Sequence, residues 1–120
     1  RLAKKILEVM QQTTWVKHWL PTRMYKFAKF LPVFESMELL PNVVVRYSSD
    51  SVTGETISGK TTSTITPYAI DDTNIISVCR AYERQGKCGT CRACWSKDVP
   101  VIAYPAHGAS MAKVIRLLNI

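Results

Sequence analysis

Apolar residues open the chain at helical spacing. Leu2, Ile6, Val9 and Met10 predict a helix over Leu2–Gln11. The pattern then changes: Thr13–Leu20, "TTWVKHWL", is β-branched and aromatic, and predicts a strand that Pro21 stops. Met24, Phe27, Phe30 and Leu31 return to a helical rhythm, which Pro32 interrupts and Val33–Leu40 resumes. After the turn "LLPN", Val43–Tyr47 is the short unbroken apolar run of a buried parallel strand. Ser48–Thr66 is rich in Ser, Thr and Gly and reads as a loop, or as an edge hairpin turning at Gly54 or at Gly59-Lys60. Two more strands are expected at Asn74–Cys79 and Val99–Pro105. A last helix is expected at Ser110–Leu118, with Ser110 as its cap and Met111, Val114, Ile115 and Leu118 on one face.

Helices alternating with short strands predict an α/β fold, either a partial barrel or an open, mainly parallel sheet, carrying a C-terminal cysteine-rich metal loop. At 120 residues the chain has room for one domain. It begins at Arg1 without an initiator Met, as expected of a piece of a longer protein. Neither a secretory leader nor an apolar run of the roughly 20 residues needed to cross a bilayer is visible, so no membrane partner is expected and the reading is cytoplasmic. In parallel α/β folds ligands gather beyond the carboxyl ends of strands. That rim collects Trp19–Arg23, Ser48-Ser49-Asp50, Cys79 and His107-Gly108.

Charge adds a possible partner. The net charge is +7, with +6 in residues 1–30, −4 in residues 31–78 and +5 in residues 79–120. Basic ends attract polyanions, nucleic acid first among them, although a merely solvated basic surface has the same composition.

The most informative segment is residues 79–95, which hold all four cysteines as C-x8-C-x2-C-x2-C: Cys79, Cys88, Cys91 and Cys94. A reducing cytosol disfavours disulfides. Thiolates three residues apart can turn toward one centre and suit zinc or iron–sulfur clusters. Zinc sites of four cysteines are usually two separate C-x2-C pairs. The consecutive C-x2-C-x2-C run instead resembles the run that wraps three corners of a cubane, which favours a [4Fe–4S] cluster with Cys79 as fourth ligand. Gly89 eases the tight turn, and its amide is a potential hydrogen-bond donor to cluster sulfur. Arg80, Arg84, Lys87 and Arg92 would offset thiolate charge, or simply be solvated.

"LPNVVVRYSSDS", "VCRAYERQGKCGTCRACW" and "VIAYPAHG" together resemble the C-terminal portion of the phage and prophage family gene product 88. The resemblance runs from about Thr13 to Gly108, and its specific part is the cysteine group with the His-Gly ending. It implies a phage setting in the host cytoplasm and supports the metal site. It also implies a missing N-terminal half, or an oligomer that covers the open strand edges. It supplies no substrate.

His107 and Asp50 are the accessory candidates. His107 could ligate metal or relay a proton, or only bond a loop carbonyl. Asp50 could act as a base, or only shape a turn. His18 reads as packed or surface-facing. Trp15, Trp19 and Trp95 read as packing residues, and Trp95, next to Cys94, could also keep water from a cluster. The chain contains no phosphate-binding glycine loop, no His-Glu-x-x-His helix and no C-x3-C-x2-C run of radical enzymes, and whether it is an enzyme stays open. The rival reading is structural zinc beside a basic nucleic-acid-binding surface, without catalysis.

Overall fold

The computed structural model describes residues 1–49, 55–66 and 71–106. Helix α1 spans Leu2–Gln12 and buries Met10, with Ile6 and Leu7 packed beside it. Of the four apolar residues whose spacing predicts the helix, Leu2 near its start and Val9 on its outer side are 71 % and 55 % exposed. The chain then turns rather than entering a strand. Thr13 Oγ1 donates to the Val9 carbonyl at 2.7 Å, and the Asn42 side-chain amide donates to the carbonyls of Thr13 and Val16 at 3.1 and 2.9 Å. These bonds hold residues 13–17 as a bend. Strand β1 therefore begins only at His18 and runs to Thr22, through Pro21 rather than stopping before it. An outer strand tolerates proline because one row of its N–H groups needs no partner.

Two single 3₁₀ turns, Met24–Lys26 and Ala28–Phe30, lead into α2, Leu31–Glu38. Pro32 lies in the first turn of α2, where its missing N–H costs nothing, so it opens this helix instead of breaking one. Strands β2 (Val43–Ser48), β3 (Thr62–Thr66), β4 (Ile76–Val78) and β5 (Val101–Pro105) follow. All pairings are parallel, in the order β1-β2-β3-β5-β4, and among the described residues the sheet is open rather than closed as a barrel.

The stretch expected to be a loop or edge hairpin thus contains β3, the middle strand. The turn at Gly59-Lys60 is present, with Gly59 at φ +75°, but it feeds a parallel strand. The hydroxyl-rich sequence "TSTIT" hid it: Thr62, Ser63, Thr64 and Thr66 are all buried.

Strand periodicity gives the sheet two different faces. Val43, Val45 and Tyr47 of β2 point to the helices and, with Met10, Phe34 and Met37, form the core. Truncating Phe34 to Ala there would cost about 3–5 kcal/mol. The alternate residues point the other way. Register pairs Trp19 with Val44, Pro21 with Arg46, Ser48 with Ser63 and Ser63 with Ile102, so this second face bears Arg46, a Ser48–Ser63 hydroxyl contact at 2.9 Å, Ile102 and Tyr104. The cysteine-rich segment packs there. Asp50, His107 and the expected helix Ser110–Leu118 lie outside the described residues. Among those described, no helix is long and apolar enough to cross a membrane.

Candidate metal centre

Parallel neighbours need a crossover connection, usually an α-helix with an apolar face. Between β4 and β5 that connection is the cysteine-rich segment. It contains two short 3₁₀ turns, Ala81–Arg84 and Ala93–Trp95, and none of residues 79–100 is buried. Hydrophobic packing contributes little to its shape. Local bonds and side-chain anchors hold it instead.

Its start is tied to the sheet. The Cys79 amide donates to the Ala103 carbonyl at 2.8 Å, continuing the β4–β5 ladder. Asp72 accepts a 2.7 Å bond from the Val78 amide and pairs with Arg80 at 3.5 Å, and Arg80 also reaches Glu83 at 3.8 Å. The Val78 amide, with the Arg80 charge beside it, holds the Asp72 carboxyl below its ordinary value. The first turn ends on two left-handed residues, Gln85 at φ +59° and Gly86 at φ +79°, with the Gly86 amide bonded back to the Ala81 carbonyl at 2.8 Å. This helix-ending motif reverses the chain toward Cys88. A further reversal, with Gly89 at φ +59° and the Cys91 amide on the Cys88 carbonyl at 3.1 Å, fits the tight turn expected of Gly89.

The four cysteines carry no disulfide. Cys79, Cys88, Cys91 and Cys94 line one cavity of about 30 Å³, walled also by Ile102 and Trp95. Cys88 and Cys91 are exposed, whereas Cys79 and Cys94 are half-buried. Among the described residues, no three Cys, His, Asp or Glu side chains stand in an ion-ligating arrangement. The donor set therefore fits a thiolate-bound centre in kind and in common location, with the thiols around a shared cavity rather than drawn to one point. Burial pushes the Cys94 thiol above its ordinary value, while the Tyr104 hydroxyl, 3.5 Å away, and the Arg46 guanidinium work against that rise. Burial and the neighbouring Cys94 push the Tyr104 phenol up in turn. Trp95 leans on Trp19 with ring centroids 5.2 Å apart, so the wall of the cavity is anchored to β1.

Arg46 went unnoticed in the sequence, where it reads as a polar break in an apolar strand. It is fully buried. Its guanidinium donates to five backbone carbonyls: Cys94 at 3.1 Å, Ala93 at 3.0 Å, Ser96 at 2.8 Å, Val99 at 2.8 Å and Thr62 at 3.4 Å. Four of the five belong to the crossover. Among the described residues no carboxylate pairs with it, so burial lowers its proton affinity and the ionisable Cys94 and Tyr104 oppose that shift. A buried cation lacking an acid partner, fixed beside a thiol cluster, is the charge a thiolate-rich centre needs.

The rim has a second cavity, of about 360 Å³, lined by Trp19, Arg23, Ser48, Ser49, Thr64 and Tyr104 among others. It joins Trp19–Arg23 with Ser48-Ser49 as expected of the first two strand ends and adds Thr64 of β3, which was not expected, but Cys79 lines the cysteine cavity instead. Tyr104 borders the rim cavity and contacts Cys94, so one side chain links the two.

Over residues 1–97 the sequence matches the family described as gene product 88. The chain belongs to that phage-type family. The gene product 88 match takes in α1, which lies ahead of the resemblance noted from the motifs, and it covers all four cysteines. It ends before β5 and the His107 segment. No curated protein matches this gene product 88 chain, and no solved structure does.

Proposed function

We propose that this gene product 88 chain binds a thiolate-ligated metal centre through Cys79, Cys88, Cys91 and Cys94. The observation that carries the reading is the crossover itself: a connection without a buried residue whose four cysteines all line one cavity against the sheet. The C-x2-C-x2-C run favours a [4Fe–4S] cluster serving redox or electron transfer. When bound, such a cluster would supply one-electron chemistry. The chain's own residues would orient and insulate it. Tyr104, whose hydroxyl contacts the Cys94 sulfur, would donate to it as a thiolate, Trp95 would screen one side from water, and Arg46 would offset negative charge. Asp50 and His107 remain accessory candidates by sequence position alone. The setting is taken as the host cytoplasm, and the chain as the C-terminal portion of a longer member.

One observation favours the second reading, structural zinc. The cavity of about 30 Å³ is the size of a single ion or water rather than of a cubane. Anaerobic purification followed by metal analysis separates the two. A brown protein with equal iron and acid-labile sulfide supports the cluster, and a colourless protein with one zinc per chain supports the structural site. A protein that takes up neither metal ends both readings.

A further inference from the structure

Parts of the two basic segments, residues 14–17 and 92–98, meet in space. The bend after α1 and the C-terminal limb of the crossover face each other across an open cleft of about 830 Å³, within the range of small-ligand sites, roughly 300–1,000 Å³. Trp15 and Lys17 form one wall, and Arg92, Trp95, Lys97 and Asp98 belong to the other. The cations come from residues 1–30 and 79–120, the two segments of excess positive charge, and outnumber the single carboxylate three to one.

Each group keeps capacity for a ligand. Trp15 is 80 % exposed, an apolar ring held in water by a short bend. Among the described residues Lys17 has no ion-pair partner. Arg92 spends Nη1 on the Gly89 and Cys91 carbonyls at 2.8 and 2.7 Å, which leaves Nε and Nη2 as further donors, and its Cζ sits 5.7 Å from the centre of the Trp95 ring. Lys97 is pinned by the Glu38 and Leu40 carbonyls, both at 2.7 Å, and retains one N–H.

Cations beside an exposed flat aromatic surface are what an unpaired polynucleotide requires: phosphates find the charges and a base stacks on Trp15, while Trp95, contacted by Arg92 and Trp19, backs the opposite wall. A duplex keeps its base faces covered and cannot use Trp15. We infer that the cleft between Trp15 and Trp95 binds single-stranded nucleic acid.

The test is fluorescence anisotropy of the full chain with short labelled oligothymidylate and oligouridylate, and with a duplex of equal length. Binding of either single strand, tighter than the duplex, is expected, with a log–log salt slope of about −2 for three phosphate contacts. The oligothymidylate and oligouridylate arms separate DNA from RNA. Trp15→Ala should weaken binding about fivefold or more, the least that losing one stacked base produces. Lys17→Glu should flatten the salt slope by about 0.7. Lys5→Glu, an exposed charge change on α1, should leave affinity within twofold or so of the parent. Trp15 and Lys17 are exposed and are not proposed ligands, so metal content should not change with either substitution. Absence of single-strand binding at low salt overturns the inference. So does equal or better duplex binding, full affinity in Trp15→Ala, or an equal loss in Lys5→Glu.

Discussion

Arg46 concentrates more structural consequence in one side chain than any cysteine does. A strand residue inside "VVVRY" carries no sequence mark of burial, because the same pattern would place an arginine on a solvated face. What decides its position is the crossover, whose backbone offers four carbonyls to it and lacks a helix of its own to satisfy them. Replacing Arg46 by Met leaves those carbonyls without donors. Urea unfolding of Arg46→Met is expected to show a loss of about 3 kcal/mol or more, and metal uptake should fall with it. A loss below about 1 kcal/mol would mean that water replaces the guanidinium freely. The thiol and phenols supply a second expectation. Cys94, Tyr47 and Tyr104 all hold their protons more tightly when folded than their ordinary values of 9.0 and 10.0. Groups raised in this way contribute stability that is fully present below the ordinary value and is lost as pH climbs through and above it. Metal-free protein should therefore lose urea resistance progressively from about the ordinary thiol value upward, and Tyr104→Phe should remove part of that slope.

Among the elements, legibility followed apolar content. β2 is a run of valines in a central position and was plain to read. α1 was plain in extent, but helical spacing alone does not say which of its apolar residues are covered, and Leu2 and Val9 are not. β3 was missed because Thr and Ser fill a strand that Val usually fills. Two of its hydroxyls, Thr62 Oγ1 and Thr64 Oγ1, are buried without a hydrogen-bond partner among the described residues. Thr62→Val should consequently raise stability by about 1 kcal/mol in urea titration, because it removes a desolvated hydroxyl and keeps the shape. The cysteine spacing was legible, as was the turn at Gly89. The cavity the four thiols share, and the arginine behind it, were not, since both depend on strands distant in sequence. The crossover makes its own prediction. Chelation should open Arg84, Lys87 and Arg92 to trypsin well before Arg46 of β2, as limited proteolysis with mass spectrometry would record. Simultaneous loss of the whole sheet would instead make the metal loop part of the global folding unit.

On the scale of the molecule, an open parallel sheet leaves two margins, β1 and β4 among the described strands. The resemblance to longer relatives raised the expectation that a missing half or a second copy must cover them. Both margins already carry restraints: β4 is three residues long, and β1 contains Pro21. Pro21→Val restores an N–H to the outer row and should increase light scattering in concentrated samples, while unchanged scattering would show that the proline is incidental. A neighbour laying its own backbone alongside β1 meets a gap in the donor row after three residues, and one approaching β4 finds almost nothing to zip against. Ribbon-like growth from chain to chain is thereby hindered at both margins of the described strands.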